Sequence, residues 1–207
     1  MLWPVRLFIC VAKKVNEVLK MDENMIFLGS IAPDISKIVG ESKVASHFLD
    51  GVDEDCIPNC EKFVNKYKDS LDKPFEVGYL IHLITDKYWF GDYVYRYIRR
   101  YMNTSLVRYM QVKDIIYRDY TRLNMKLIDE YELNLYFMCN NIILPSSKIE
   151  EIPIDKLQLV IDKMSIIIKE LDDSKTVMFD MDDINEFVLE CSKMVIRDLK
   201  CYGIEVK

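Results

Sequence analysis

The stretch from Phe75 to Asp86 constrains the fold of this chain more than any other. Val77, Tyr79, Leu80, Ile81, Leu83 and Ile84 make a helix there apolar almost all round at its start. A helix that is apolar all round has to be buried all round. The stretch opens the longest helical run, 75 to 101, and it needs a shell of other helices around it. The composition supplies that shell. Gly and Pro number only six each, whereas Leu, Ile, Lys, Glu, Met and Asp are plentiful, which favours helices over an all-β fold. No apolar run approaches the ~20 residues that span a bilayer, so the stretch reads as a core helix.

Around it, periodicity predicts a helix over 5–20, with Val5, Phe8, Ile9, Ala12, Val15 and Leu19 in register, and a short one from Met25 to Ala32 stopped by Pro33-Asp34. A long loop is expected from about 36 to 57, holding His47, a length that tends to be functional. Further helices are expected over 57–69, 104–110, 112–131, 154–171 and 182–202. Asp180 or Asp182 is placed to cap the last one and Gly203 to end it. The expectation is one all-α domain over residues 1–207, with a core at 4–145 and a C-terminal helical pair at 153–203 packed on it.

Charge narrows the function classes. Twenty-eight basic against 34 acidic residues leave a net charge of -6, which argues against general binding to nucleic acid or anionic membranes. Arg96, Arg99 and Arg100 share one helix side and read as a solvated face. Six scattered cysteines without a secretory signal read as free thiols in a reducing cytoplasm. The tyrosines and aromatics after Asp86 (Tyr88, Trp89, Phe90, Tyr93) read as core or helix interface.

The chain has only two histidines. His82 and Asp86 are four residues apart in the apolar helix, so they share one face, one turn apart. A carboxylate in such surroundings needs a partner. That partner is either the histidine itself, through a hydrogen bond, or a metal. His47 follows Ser46 in the expected loop, and Asp34 ends an apolar segment. Together they give Asp-x12-His-x34-His-x3-Asp. Two imidazoles and two carboxylates suit one divalent ion such as zinc.

Three segments in order, Phe27-Leu28-Gly29-Ser30-Ile31-Ala32-Pro33-Asp34-Ile35, Ser46-His47-Phe48 and Gly78-Tyr79-Leu80-Ile81-His82-Leu83-Ile84-Thr85-Asp86, resemble the successive motifs of the zinc-dependent phospholipase C family. The resemblance covers residues 4–131. It implies a multi-helix bundle of the phospholipase C and zinc nuclease type. It also implies zinc (or another divalent metal) held by Asp34, His47, His82 and Asp86, and a metal-activated water, oriented by Asp34, that attacks a small phosphodiester or phospholipid.

The chain departs from the family in two places. Phe8 stands where the family has a first-helix histidine, with Cys10 two residues on. No histidine follows His82, so Asp114 and Asp119 are the remaining stand-ins for the later ligands, unless they are ordinary exposed helix acids. One metal site is therefore expected to be complete and the others reduced. Two functions follow: a phospholipase C-like metallohydrolase working with one metal, or a catalytically inactive relative that keeps one structural ion or none. A phosphohydrolase built on a His-Asp dipeptide is set aside, because the chain has no such dipeptide.

Overall fold

The computed structural model describes residues 5–51, 57–104, 109–135, 142–169 and 174–206. Among them the fold is all-α, and the sole β pairing is an isolated bridge between Leu49 and Pro58. In chain order the helices are α1 Val5–Leu19, α2 Glu23–Ile31, α3 Ile35–Val39, α4 Lys43–Ser46, α5 Cys60–Tyr67, α6 Pro74–Tyr88, α7 Val94–Thr104, α8 Tyr109–Glu130, α9 Leu157–Lys169 and α10 Met181–Cys201. No helix among the described residues is long and apolar enough to cross a membrane.

α6 is the central helix that its composition demands, with every residue from Phe75 to Asp86 buried. Pro74 opens it, a position where a missing N–H costs nothing. Its main neighbour is α2, and two glycines set the distance between them. A Cβ on Gly29 would sit 2.1 Å from the Phe75 carbonyl oxygen, and one on Gly78 would sit 2.3 Å from that of Ile26. Only bare backbone fits at these crossings, so α2 and α6 touch main chain to main chain. α1 lies across both helices and against α10.

Two expectations change. The 36–57 segment is not a plain loop, because two short helices, α3 and α4, occupy its first half; residues 52–56 lie outside the described ones. Gly40 closes α3 with φ +80°, a left-handed value that suits glycine. Ser42 caps α4 by accepting from the Val44 N–H. The long run after Pro74 is also interrupted: Trp89–Tyr93 forms a π-helical turn between α6 and α7.

That turn swings Trp89 and Tyr93 into an aromatic cluster with Tyr120, Phe179 and Phe187, in which the Trp89 Nε1–H donates to the Tyr120 hydroxyl at 2.9 Å. These aromatics are core. Arg96 and Arg99 point outward and pair with Asp92. At the C-terminal end, α9 lies against α3 and α8, while α10 lies against α1 and α6. Asp180 caps α10 through a reciprocal pair of bonds with Asp183, and Gly203 follows it with φ +82°.

Candidate metal centre

Three elements bring the four candidate donors together. Asp34 ends the 3-10 turn Ala32–Asp34 after α2, His47 caps α4, and His82 and Asp86 sit one turn apart on α6. All four are buried, with relative exposures of 1% for Asp34 and His47, 0% for His82 and 5% for Asp86.

Asp34, His47 and His82 each offer a ligand atom within 4.8 Å of the other two. The two imidazole Nε2 atoms are 3.3 Å apart. His47 Nε2 is 3.8 Å from Asp34 Oδ1 and 3.7 Å from Asp86 Oδ2. Ligands bound to a tetrahedral zinc at about 2.0–2.1 Å stand roughly 3.3 Å from one another. The spacing of this group is therefore close to that of a zinc shell. Asp86 lies outside the mutually close trio and approaches it at His47.

The outer hydrogen bonds aim the donors inward. His82 Nδ1 is 2.8 Å from the Ser30 carbonyl oxygen. A carbonyl only accepts, so Nδ1 carries a proton, and in a neutral ring that leaves Nε2 bare. Ser30 can reach His82 because α2 and α6 meet backbone to backbone at Gly29 and Gly78. Ser46 Oγ donates to the Lys43 carbonyl at 3.3 Å and lies 2.9 Å from His47 Nδ1. A ring whose Nδ1–H donates to that hydroxyl presents its Nε2 to the centre as well. Ser36 Oγ backs Ser46 Oγ at 3.0 Å, and the Tyr79 hydroxyl donates to the Ser46 carbonyl at 2.5 Å. Two imidazole Nε2 atoms 3.3 Å apart beside a carboxylate make a donor set suited to a cation. Asp34 Oδ2 adds to this, being buried with no hydrogen-bond partner.

Electrostatics separate the two carboxylates. Burial pushes Asp34 up, but Lys37, then His82 and His47, pull it down to about 2. Lys37 Nζ donates to Asp34 Oδ1 at 3.1 Å. Burial raises Asp86 above the usual carboxylate range, against the pull of His82 and of Lys43 and Lys37. Burial, then repulsion by His82, holds His47 well below the ordinary imidazole value, so it is neutral and able to ligate.

The remaining candidates lie elsewhere. Asp114 is exposed on α8. Asp119 is fully buried and committed: its carboxylate accepts from the backbone N–H groups of Val177 at 2.9 Å, Met178 at 2.5 Å and Phe179 at 3.2 Å. It is a latch for the segment ahead of α10. Cys10 is buried beside Arg6 and Lys13, and burial raises its thiol, so it is a neutral S–H. Phe8 stacks face to face on His82, with ring centroids 4.1 Å apart. Phe8 thus packs against the ring of a candidate donor.

Several contributors were not singled out from sequence. Lys37 stands one helical step from Asp34, a spacing that would have flagged it. Lys43, buried at 4% exposure with its ammonium over the Phe90 ring, gives no such signal, nor does the Ser30 carbonyl. Comparison with protein-family models, with curated proteins and with solved structures gives no match.

Proposed function

We propose that this chain is a metal-dependent phosphoesterase of the phospholipase C-like class, working with one zinc ion at Asp34, His47 and His82. The observation that carries the reading is the convergence of these three donors within 4.8 Å, from motifs far apart in sequence. Two imidazole Nε2 atoms and one carboxylate form a three-ligand set, which in catalytic zinc sites leaves a position for water or substrate. Bound zinc would supply Lewis acidity toward a phosphoryl oxygen and a lowered pKa for water.

The chain's own groups divide the rest of the work. His47 and His82 are oriented by Ser46 and by the Ser30 carbonyl. Asp34 is the ionised ligand. Asp86, with its raised pKa and its Oδ2 3.7 Å from His47 Nε2, is placed to take up a proton at that oxygen. Lys37 and Lys43 bring positive charge to the surroundings of Asp86, suited to an anionic ester. The substrate class is a small phosphodiester or phospholipid head group.

One observation favours a second reading. All four donors are at most 5% exposed, and closed sites of this kind serve structure more often than turnover. In that case the ion is structural and the chain is a binding or scaffold module. The two readings are separated by assaying phosphodiester and phospholipid hydrolysis with the zinc-loaded chain, with the chelator-stripped chain and with His82→Ala. Turnover that disappears in the last two supports the esterase. A loaded chain that is inert on every substrate, yet melts earlier when stripped, supports the structural ion. A chain that takes up no metal sinks both.

A further inference from the structure

Asp34 Oδ1 faces two ways. It is the oxygen 3.8 Å from His47 Nε2, on the side where the imidazoles converge, and it is also the oxygen that accepts from Lys37 Nζ at 3.1 Å. The other oxygen, Oδ2, has no hydrogen-bond partner. The ammonium is thus bound to the oxygen that faces His47 Nε2.

We propose that Lys37 is an internal counter-cation that competes with the metal ion for Asp34 and so sets the affinity of the centre. The proposal rests on the reading that Asp34, His47 and His82 hold a divalent ion. Without such an ion, a carboxylate at 1% exposure requires a nearby positive charge. Lys37 provides it from three residues along the chain, in the middle of α3. When a divalent ion binds, the ammonium is a like charge beside it, bonded to an oxygen that the ion needs.

Lys37 can yield where Lys43 cannot. The Lys37 side chain is 19% exposed, so its flexible stem has a route to water. Lys43 is 4% exposed, with its ammonium 5.7 Å from the Phe90 ring centroid. The centre therefore has a removable cation on its solvent side and a fixed one within. This arrangement gives a site that is stable when empty and that binds its ion reversibly.

The test is zinc or cobalt affinity of the full chain after chelator stripping, measured by competition with a chromophoric chelator. Lys37→Met, which keeps the stem and removes the charge, is expected to bind the ion at least about tenfold more tightly than the wild type. Its metal-free form should melt at a lower temperature. Lys37→Arg, which keeps the charge, should stay within about threefold of the wild type. Should Lys37→Met fail to fold without metal, Lys37→Gln gives the same comparison. Affinity that is unchanged or weaker in the charge-free variants overturns the proposal. A weaker ion would make Lys37 a support that orients the ligand. If the wild type binds the ion while the variants show no gain, only this inference fails; if neither binds an ion, the metal reading fails with it.

Discussion

At the scale of single residues, two acids that look alike in sequence do opposite things. Asp114 and Asp119 share one helix and the same periodic context, yet one is exposed and the other is fully buried. Asp119 holds three consecutive backbone N–H groups, two of them in the buried residues Met178 and Phe179. Removing a carboxylate that satisfies buried donors leaves each of them unpaired, at about 1–3 kcal/mol apiece. Asp119→Ala should therefore destabilise the chain by ~3 kcal/mol, read in urea unfolding, with metal content unchanged. Loss of metal along with stability would place Asp119 in the centre after all.

The imidazoles give a pH prediction at the same scale. The folded-state pKa of His47 lies well below its unfolded value of about 6.5. Between the two values the unfolded chain takes up a proton that the folded chain refuses. Stability of the metal-free protein should therefore be full above about pH 6.5 and decline as pH falls below it. Asp34 adds to the decline only at stronger acid, since its stabilisation is lost as pH falls from its unfolded value toward about 2. A melting temperature that is flat between pH 7 and pH 5 would contradict a neutral buried His47.

At the scale of elements, the α2–α6 contact decides where the donors stand. The motif that ends at Asp34 contains Gly29, and the motif that holds His82 contains Gly78. Their function is steric, because each removes a side chain from a backbone crossing. Gly29→Ala would place a methyl group 2.1 Å from the Phe75 carbonyl oxygen, and backbone on both sides cannot yield cheaply. A cost of about 1–3 kcal/mol or more is expected from such overpacking. The forced separation also draws the Ser30 carbonyl away from His82 Nδ1. Weaker metal binding should accompany the lower stability, about 10-fold or more by competition titration, as for other lost outer-shell partners. Destabilisation with unchanged affinity would separate the crossing from the site.

At the scale of the whole molecule, an ion bound only by the folded state links function to stability. At a free concentration 100 times its Kd, such an ion adds about 2.7 kcal/mol. For a chain of this length, each kcal/mol raises the melting temperature by roughly 2–4 °C. Zinc should thus raise Tm by about 5–10 °C, chelator should reverse it, and His47→Ala should abolish the shift. An equal shift in His47→Ala would mean that zinc binds elsewhere.

The sequence by itself determined the class of fold and marked the candidate donor residues. A run apolar on all faces can only be a buried helix, and a buried helix carrying His82 and Asp86 has to bring partners to them. The caps were legible too, since Asp180 and Gly203 act locally. The tertiary structure decided what each polar group does. The helices inside the expected loop, the burial of Asp119 and its three backbone partners, the Ser30 carbonyl at His82 and the stacking of Phe8 all come from contacts between elements distant in sequence. Such contacts leave no period to read. Even Lys37, only three residues from Asp34, gains its meaning from the fold, because α4 and α6 bring two imidazoles to the oxygen that it holds.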